Sequence, residues 1–353
     1  MNQVFTAIDL SKFAPPKAVE VLSAPEIFGE MLADLQARDP EFNALIPSDP
    51  AYQILLVAAY RETLLRQTLN DKFKARLLAF ATGSDLDHVA ASQAVPVERL
   101  EGESDAAFRA RLVLAPEAYS VAGPIGAYIY HALSAHSGIK DVSVWNPGIG
   151  GRVNVAVLSK TGNGACFGVR VNHPDGYANG AVSIAVTDVL ADLSNGQELP
   201  FEGGATFTLD ADFAAGAATL TGALAGVLVD GERAGILPFV QDALDPETRL
   251  PLCDTVEVMS AEIIEYQVTA ELTLFFGPDA NTIRANAIAA VQAYVAAHHA
   301  CGHDITLSGL QAALHVEGVQ EVNLISPSAR IEVDSGKAAF CTAVNVTVSG
   351  RDE

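Results

Sequence analysis

The densest run of residues able to hold a metal is His298-His299-Ala300-Cys301-Gly302-His303. Zinc takes four nitrogen or sulfur ligands in a tetrahedral array. Adjacent His298 and His299 on one helix diverge by about 100°, since 3.6 residues complete a turn, so one ion does not easily hold both. Imidazoles at a helix C-terminus need no metal either, because the negative end of the dipole favours imidazolium. Nucleophilic chemistry has no better footing: there is neither a GxSxG elbow nor an HExxH helix. Gly148, Gly150 and Gly151 lack the GxxxxGK[ST] pattern and fall between two strand-like runs, so they read as a hairpin turn. The 43 acidic residues give so many chance pairs that no glycosidase-like couple stands out. Cys166, Cys253, Cys301 and Cys341 lack CxxC spacing and read as buried thiols packing as small hydrophobes. A disulfide stays open should the product reach oxidising surroundings. No catalytic, cofactor-binding or metal residue is expected, and no cofactor.

Chemistry of that kind being absent, composition sets the bounds. A chain of 353 residues, half of them hydrophobic, exceeds one ordinary core and implies two or three domains. Its net charge of −22 disfavours duplex DNA, which needs clustered cations. No basic patch interleaved with aromatics offers single strands a platform. The charge serves solubility by self-repulsion, or steers the chain toward a basic partner. The N-terminal run lacks a signal-peptide pattern, and no segment offers about eighteen uninterrupted apolar residues. The expected product stays in the cytosol or is built into a particle there, with no membrane insertion.

The elements follow from periodicity. Residues 1–48 read as an arm with one helix from Pro25 to about Arg38, carrying Phe28, Leu32 and Leu35 on one face. Asp49-Pro50 opens a helix expected to run to Thr82, stopped by a left-handed Gly83. Along it Val57, Tyr60, Leu64 and then Leu65, Leu69, Phe73, Leu77 and Phe80 recur at spacings of three and four. That stripe is wider than a two-stranded seam needs, so the helix is a candidate for a bundle with other chains. Short helices start at Ser84 and Ser104, the second burying Phe108 and Leu112 while Arg109 and Arg111 project elsewhere. Another runs from Pro124 to His136. Alternation then marks strands over 141–146 and 152–159, adjacent and needing no crossover. A Gly-, Thr- and Asp-rich stretch reads as a small all-β module. A helix over 236–244, strands near 254–260 and 264–276, helices over 280–300 and 307–316, and strands over 319–325 and 340–348 complete an α+β order.

Five blocks carry a resemblance: DPAYQILLVAAYRETLLRQTLND (Asp49–Asp71), ATGSDLDHVA (Ala81–Ala90), RLEGESDAAFRARLVLAPEAYSVAGPIGAYIYHAL (Arg99–Leu133), KDVSVWNPGIGGRVNVAVLS (Lys140–Ser159) and RLPLCDTVEVMSAEIIEYQV (Arg249–Val268). Together, in order, they resemble the baseplate J-like family of contractile-tailed bacteriophages, R-type pyocins and related contractile injection systems. The resemblance implies a non-enzymatic structural wedge subunit of the tail baseplate, built into a virion in the bacterial host cytoplasm. Its implied partners are further J-type copies, an I-type tail protein, a lysozyme-like wedge protein and the central spike hub. Helices from three chains would form the wedge bundle, in a ring that rearranges to trigger sheath contraction. The expected fold is α+β: an N-terminal arm and long bundle helix (1–98), a first α+β domain (99–161 with 235–260), an inserted β module (162–234) and a C-terminal α+β domain (261–353). Candidate interchain contacts are Tyr60, Leu64, Leu69, Phe73, Arg109, Arg111, Tyr128 and Tyr130. The alternatives are a baseplate-associated cell-wall-degrading enzyme, or glycan or receptor binding through the β module.

Overall fold

The computed structural model describes residues 10, 13–16, 19–42, 46–119, 123–244, 254–277 and 279–352. Two compact units emerge, one over Ala7–Pro116 and the other dominated by Glu117–Glu353. The fold is α+β, with eight helices among the described residues.

In the N-terminal unit, α1 (Ala24–Arg38) begins with Pro25 in its first turn, where a missing N–H costs nothing. It packs on α2 (Pro50–Lys74), whose cap is Asp49, its Oδ1 accepting from the Ala51 N–H at 2.8 Å. Phe28 and Tyr52 meet between the two helices with ring centroids 4.8 Å apart. The expected run to Thr82 is a correction: α2 ends at Lys74, after 25 residues. Past Lys74 the ladder tightens, the Arg76 N–H bonding the Phe73 carbonyl and the Leu77 N–H that of Lys74. Arg109 on α4 (Asp105–Leu114) holds the turn that follows, its guanidinium donating to the carbonyls of Leu78 and Ala81, both at 2.7 Å. Gly83 does adopt a left-handed φ of +53°, but it opens α3 (Gly83–Ala91) rather than closing α2. Leu86, Phe108 and Leu112 form the buried side of α3 and α4.

The second unit holds three sheets. In the first, β1 (Ile139–Trp145) and β2 (Arg152–Ser159) pair antiparallel, and β2 pairs in parallel with β9 (Thr255–Ser260). The adjacent strands β1 and β2 need no crossover, as expected, but β9 is a different case. A parallel partner requires one, and it is supplied through α6 (Leu237–Ala243). α5 (Ile125–Leu133) packs on the same sheet, its Tyr128 wholly buried. Between β2 and α6 the chain runs through β3 (Gly168–Val171), β4 (Ser183–Thr187), β5 (Glu198–Pro200), β6 (Thr206–Leu209), β7 (Thr219–Ala225) and β8 (Arg233–Gly235), one sheet in the order β5-β6-β7-β4-β3-β8. Its core is Val169, Ile184, Leu199, Phe207, Leu220 and their neighbours.

The third sheet has β10 (Glu262–Phe275) at its centre, antiparallel to β11 (Val319–Ser326) and parallel to β12 (Lys337–Asp352). Tyr266, Val268, Ala270, Leu272 and Leu274 alternate onto one face of β10, as expected, and meet Ile283, Ala287 and Val291 of α7 (Ala280–His298) and Leu310 and Leu314 of α8 (Leu307–Leu314). The edge strand β12 carries an extra residue twice, at Thr342 and Ser349. Each extra hydroxyl donates to a β10 carbonyl, Tyr266 at 3.1 Å and Leu272 at 3.2 Å. Bulges of this kind bend an edge away from stray strand pairing.

Candidate interaction surface

The residue types that suggested chemistry are occupied elsewhere. His298 lies stacked on Tyr294, the ring centroids 3.9 Å apart, with Nδ1 at 2.8 Å from the Tyr294 carbonyl oxygen. His299 Nδ1 reaches the Ala339 carbonyl at 2.8 Å, and burial holds its imidazole below the ordinary histidine range. Cys301 is buried, and burial raises its thiol far above the ordinary value. Among the described residues no group of three His, Cys, Asp or Glu is placed to hold a metal. A cavity of about 320 Å³ brings His136 and Cys166 to one lining with Phe239 and Arg233. Burial pushes the Cys166 thiol up to about 12 and the His136 imidazole down, so near neutral pH the first is not a thiolate and the second is a neutral ring. Its Nδ1 already accepts from the Gly138 N–H at 3.0 Å.

The informative surface is α2. Its buried residues are Ala59 and Asn70, whereas Ile54, Val57, Tyr60, Leu64, Leu65, Leu69 and Phe73 are exposed. Tyr60 and Leu69 keep 59% and 66% of their surface, which separates them from any core position. Fully covering one such side chain is worth about 1.5–3 kcal/mol, so a run of them is a large driving force held in reserve.

Asn70 escaped the sequence reading. Its amide works like a short backbone segment: Oδ1 accepts from the Glu20 N–H at 3.1 Å, and Nδ2 donates to the Glu20 carbonyl at 3.0 Å. This pair fastens the segment before α1 to α2. A buried Asn amid an apolar helix was the signal available.

Other expected contact residues are spent inside the chain. Arg111 is buried against Glu103, with Nε–Oε1 and Nη2–Oε2 separations of 2.9 and 2.6 Å, and it also donates to the Glu98 carbonyl. Arg109 holds the turn that follows α2. Tyr128 donates its hydroxyl to Asp254 Oδ2 at 2.6 Å beneath the first sheet. Tyr130 is half-buried and meets His131 edge-on. The chain's own fold thus claims Arg109, Arg111 and Tyr128.

A second missed pattern lies in the β module. Tyr177–Gly180, Leu193–Gly196, Phe213–Gly216 and Leu228–Gly231 are four tetrads of one form, a large apolar residue followed three places later by glycine. In each, the N–H after the glycine donates to the carbonyl of the second residue: Ala181 to Ala178, Gln197 to Ser194, Ala217 to Ala214, Glu232 to Val229. The glycines sit at φ of +87°, +79°, +82° and +78°, the third position of a type II turn. Their leading residues bridge in pairs, Tyr177 with Leu228 and Leu193 with Phe213. Around the second bridge Asp192 accepts from the Ala215 N–H and Asp212 from the Asn195 N–H, a reciprocal arrangement. Arg170 and Arg233 then tie the module to α6 through Asp242 at 2.5 and 2.8 Å.

The most prominent surface among the described residues is thus the bare apolar length of α2, which is suited to contact. A family model described as the baseplate J-like N-terminal domain matches residues 47–103, and one described as the baseplate J-like protein C-terminal domain matches 266–347. "Baseplate protein J" of Escherichia phage P2 is 33% identical over 366 aligned positions, covering 98% of this chain and 99% of that protein. The chain belongs to the baseplate J-like family, and its role is that of a structural protein of a phage tail baseplate.

Proposed function

We propose that this chain is a wedge subunit of a contractile-tail baseplate, assembling with further copies of itself, an I-type tail protein and a lysozyme-like wedge protein around the central spike hub. The ring so formed holds one arrangement before firing and rearranges as a unit to trigger sheath contraction, a population shift between two discrete packings. Assembly takes place in the host cytoplasm. The reading assigns 1–98 to the arm and bundle helix, 99–161 with 235–260 to a first α+β domain, 162–234 to an inserted module and 261–353 to the C-terminal domain. Tyr60, Leu64, Leu69 and Phe73 are its interchain contacts, with Tyr130 as an outlying member.

The exposed apolar length of α2 supports this best, since a helix that buries only Ala59 and Asn70 gains little from its own unit. Leu64→Asp combined with Leu69→Asp tests it. The isolated variant should melt within a few degrees of the unmutated chain, while tails made with it should lack baseplates by electron microscopy. Tails of normal appearance and infectivity would remove α2 from the assembly.

A further inference from the structure

The charges along α2 say what kind of surface covers it. In a chain of net charge −22, five arginines outside α2 are matched internally: Arg99 with Asp87 and Asp105, Arg111 with Glu103, Arg170 and Arg233 with Asp188, Asp242 and Glu202, and Arg330 with Asp304. The stretch 50–76 runs against that background, with five cations (Arg61, Arg66, Lys72, Lys74 and Arg76) and two carboxylates (Glu62 and Asp71). Arg66 pairs with Glu62 at 2.5 Å. Arg61, Lys72, Lys74 and Arg76 have no carboxylate at ion-pair distance among the described residues.

Two of these free cations share a groove. Lys72 in the last turn of α2 and Arg76 just past it, with His88 of α3 and its C-cap Ser92, line a depression of about 550 Å³ whose one acidic lining residue is Asp85. Leu65, Leu69 and Phe73, spaced by four and exposed, lead along the helix toward it.

We infer that the groove receives carboxylate side chains of an acidic amphipathic helix from a different polypeptide, lying along α2 with its apolar side on Leu65, Leu69 and Phe73. This deepens the assembly reading above and rests on it. An apolar row flanked by unmatched cations is complementary to an apolar row flanked by carboxylates, and such complementarity sets partner choice and register. A second copy's α2 would bring the same positive excess and be repelled. Nucleic acid is disfavoured by the overall charge and by the apolar row beside the groove.

The test uses the full chain and two synthetic helical peptides of identical leucine pattern, one with Glu and one with Lys at the flanking positions, followed by fluorescence anisotropy. The Glu peptide should bind at least ten-fold more tightly at low salt, and raising the salt should erase most of that margin. Lys72→Glu with Arg76→Glu should reverse the preference, and Leu65→Ser with Leu69→Ser should weaken both peptides; circular dichroism checks that each variant is folded. Equal binding of the two peptides, or no response to charge reversal, overturns this inference and leaves α2 as an assembly surface. Binding of neither peptide overturns both. Sedimentation showing self-association that Lys72→Glu strengthens would assign the groove to a second copy and also overturn it.

Discussion

The buried pair of Arg111 and Glu103 shows how a charged residue can mislead when read from sequence. On a helical wheel Arg111 looks like a surface cation, yet it and its partner each keep 4% of their side-chain surface. Glu103 also accepts from the Leu100 N–H at 3.0 Å, so one carboxylate closes the turn before α4 and neutralises the arginine. Removing one member strands the other. Glu103→Ala should cost about 3–5 kcal/mol in urea unfolding, whereas exchanging both for apolar residues should recover much of it. An equal loss from the single and double changes would show that the ion pair is not what matters. Asp141 gives a pH test. Burial raises its carboxyl, against the opposing pull of the Cys301 and Val142 amides, His303 and Lys140. A carboxyl held above its unfolded value of about 3.9 contributes full stability below that pH, and the contribution fades as pH rises through the folded value. The stability of the unmutated chain relative to Asp141→Asn should therefore decline from pH 4 toward neutrality; a flat or rising difference would contradict it. Phe108 and Leu112 were legible as core from spacing alone. Arg111 was not, because its partner sits eight residues away across a turn that no helical period describes.

For whole elements, the period was a good guide to existence and a poor one to ends. The strands near 141–146 and 152–159 and the buried face of β10 could be read from alternation of two. The end of α2 could not, and the turn after it is held by a guanidinium 31 residues beyond Leu78, a contact that no local period marks. Nor could the β2–β9 pairing, because parallel neighbours leave no local mark in the chain. In the β module the tetrads are in plain view, but a Gly-, Thr- and Asp-rich composition points to an all-β module without marking where its turns fall. Two glycines separate the physics there. A Cβ at Gly216 would meet nothing within 4 Å, so Gly216→Ala carries only the strain of φ +82°, roughly 1 kcal/mol. A Cβ at Gly222 would lie 2.0 Å from the Thr208 carbonyl oxygen on the neighbouring strand. Gly222→Ala should thus destabilise by clearly more than Gly216→Ala, and amide exchange should quicken along β6 and β7. The reverse order would mean that turn strain outweighs strand spacing.

Across the whole molecule, the division into two compact units should be visible thermally. Calorimetry of the isolated chain is expected to resolve two transitions, and Glu103→Ala should move only the one belonging to residues 7–116. One transition, shifted as a whole by that change, would show the units to be a single cooperative body. Within the larger unit the situation is different. β9 and β10 are separated by Ala261 alone, which is buried and donates its N–H to the Val157 carbonyl at 2.9 Å. The Cys301 N–H is held by Asp141 at 2.8 Å, and Gly336 lies so close to Trp145 that a Cβ there would come within 2.9 Å of the indole. A joint with one alanine for slack and an indole wedged beside it leaves the C-terminal sheet and the first sheet little room to turn against each other. Any bending within this unit has to be found in some other part of it.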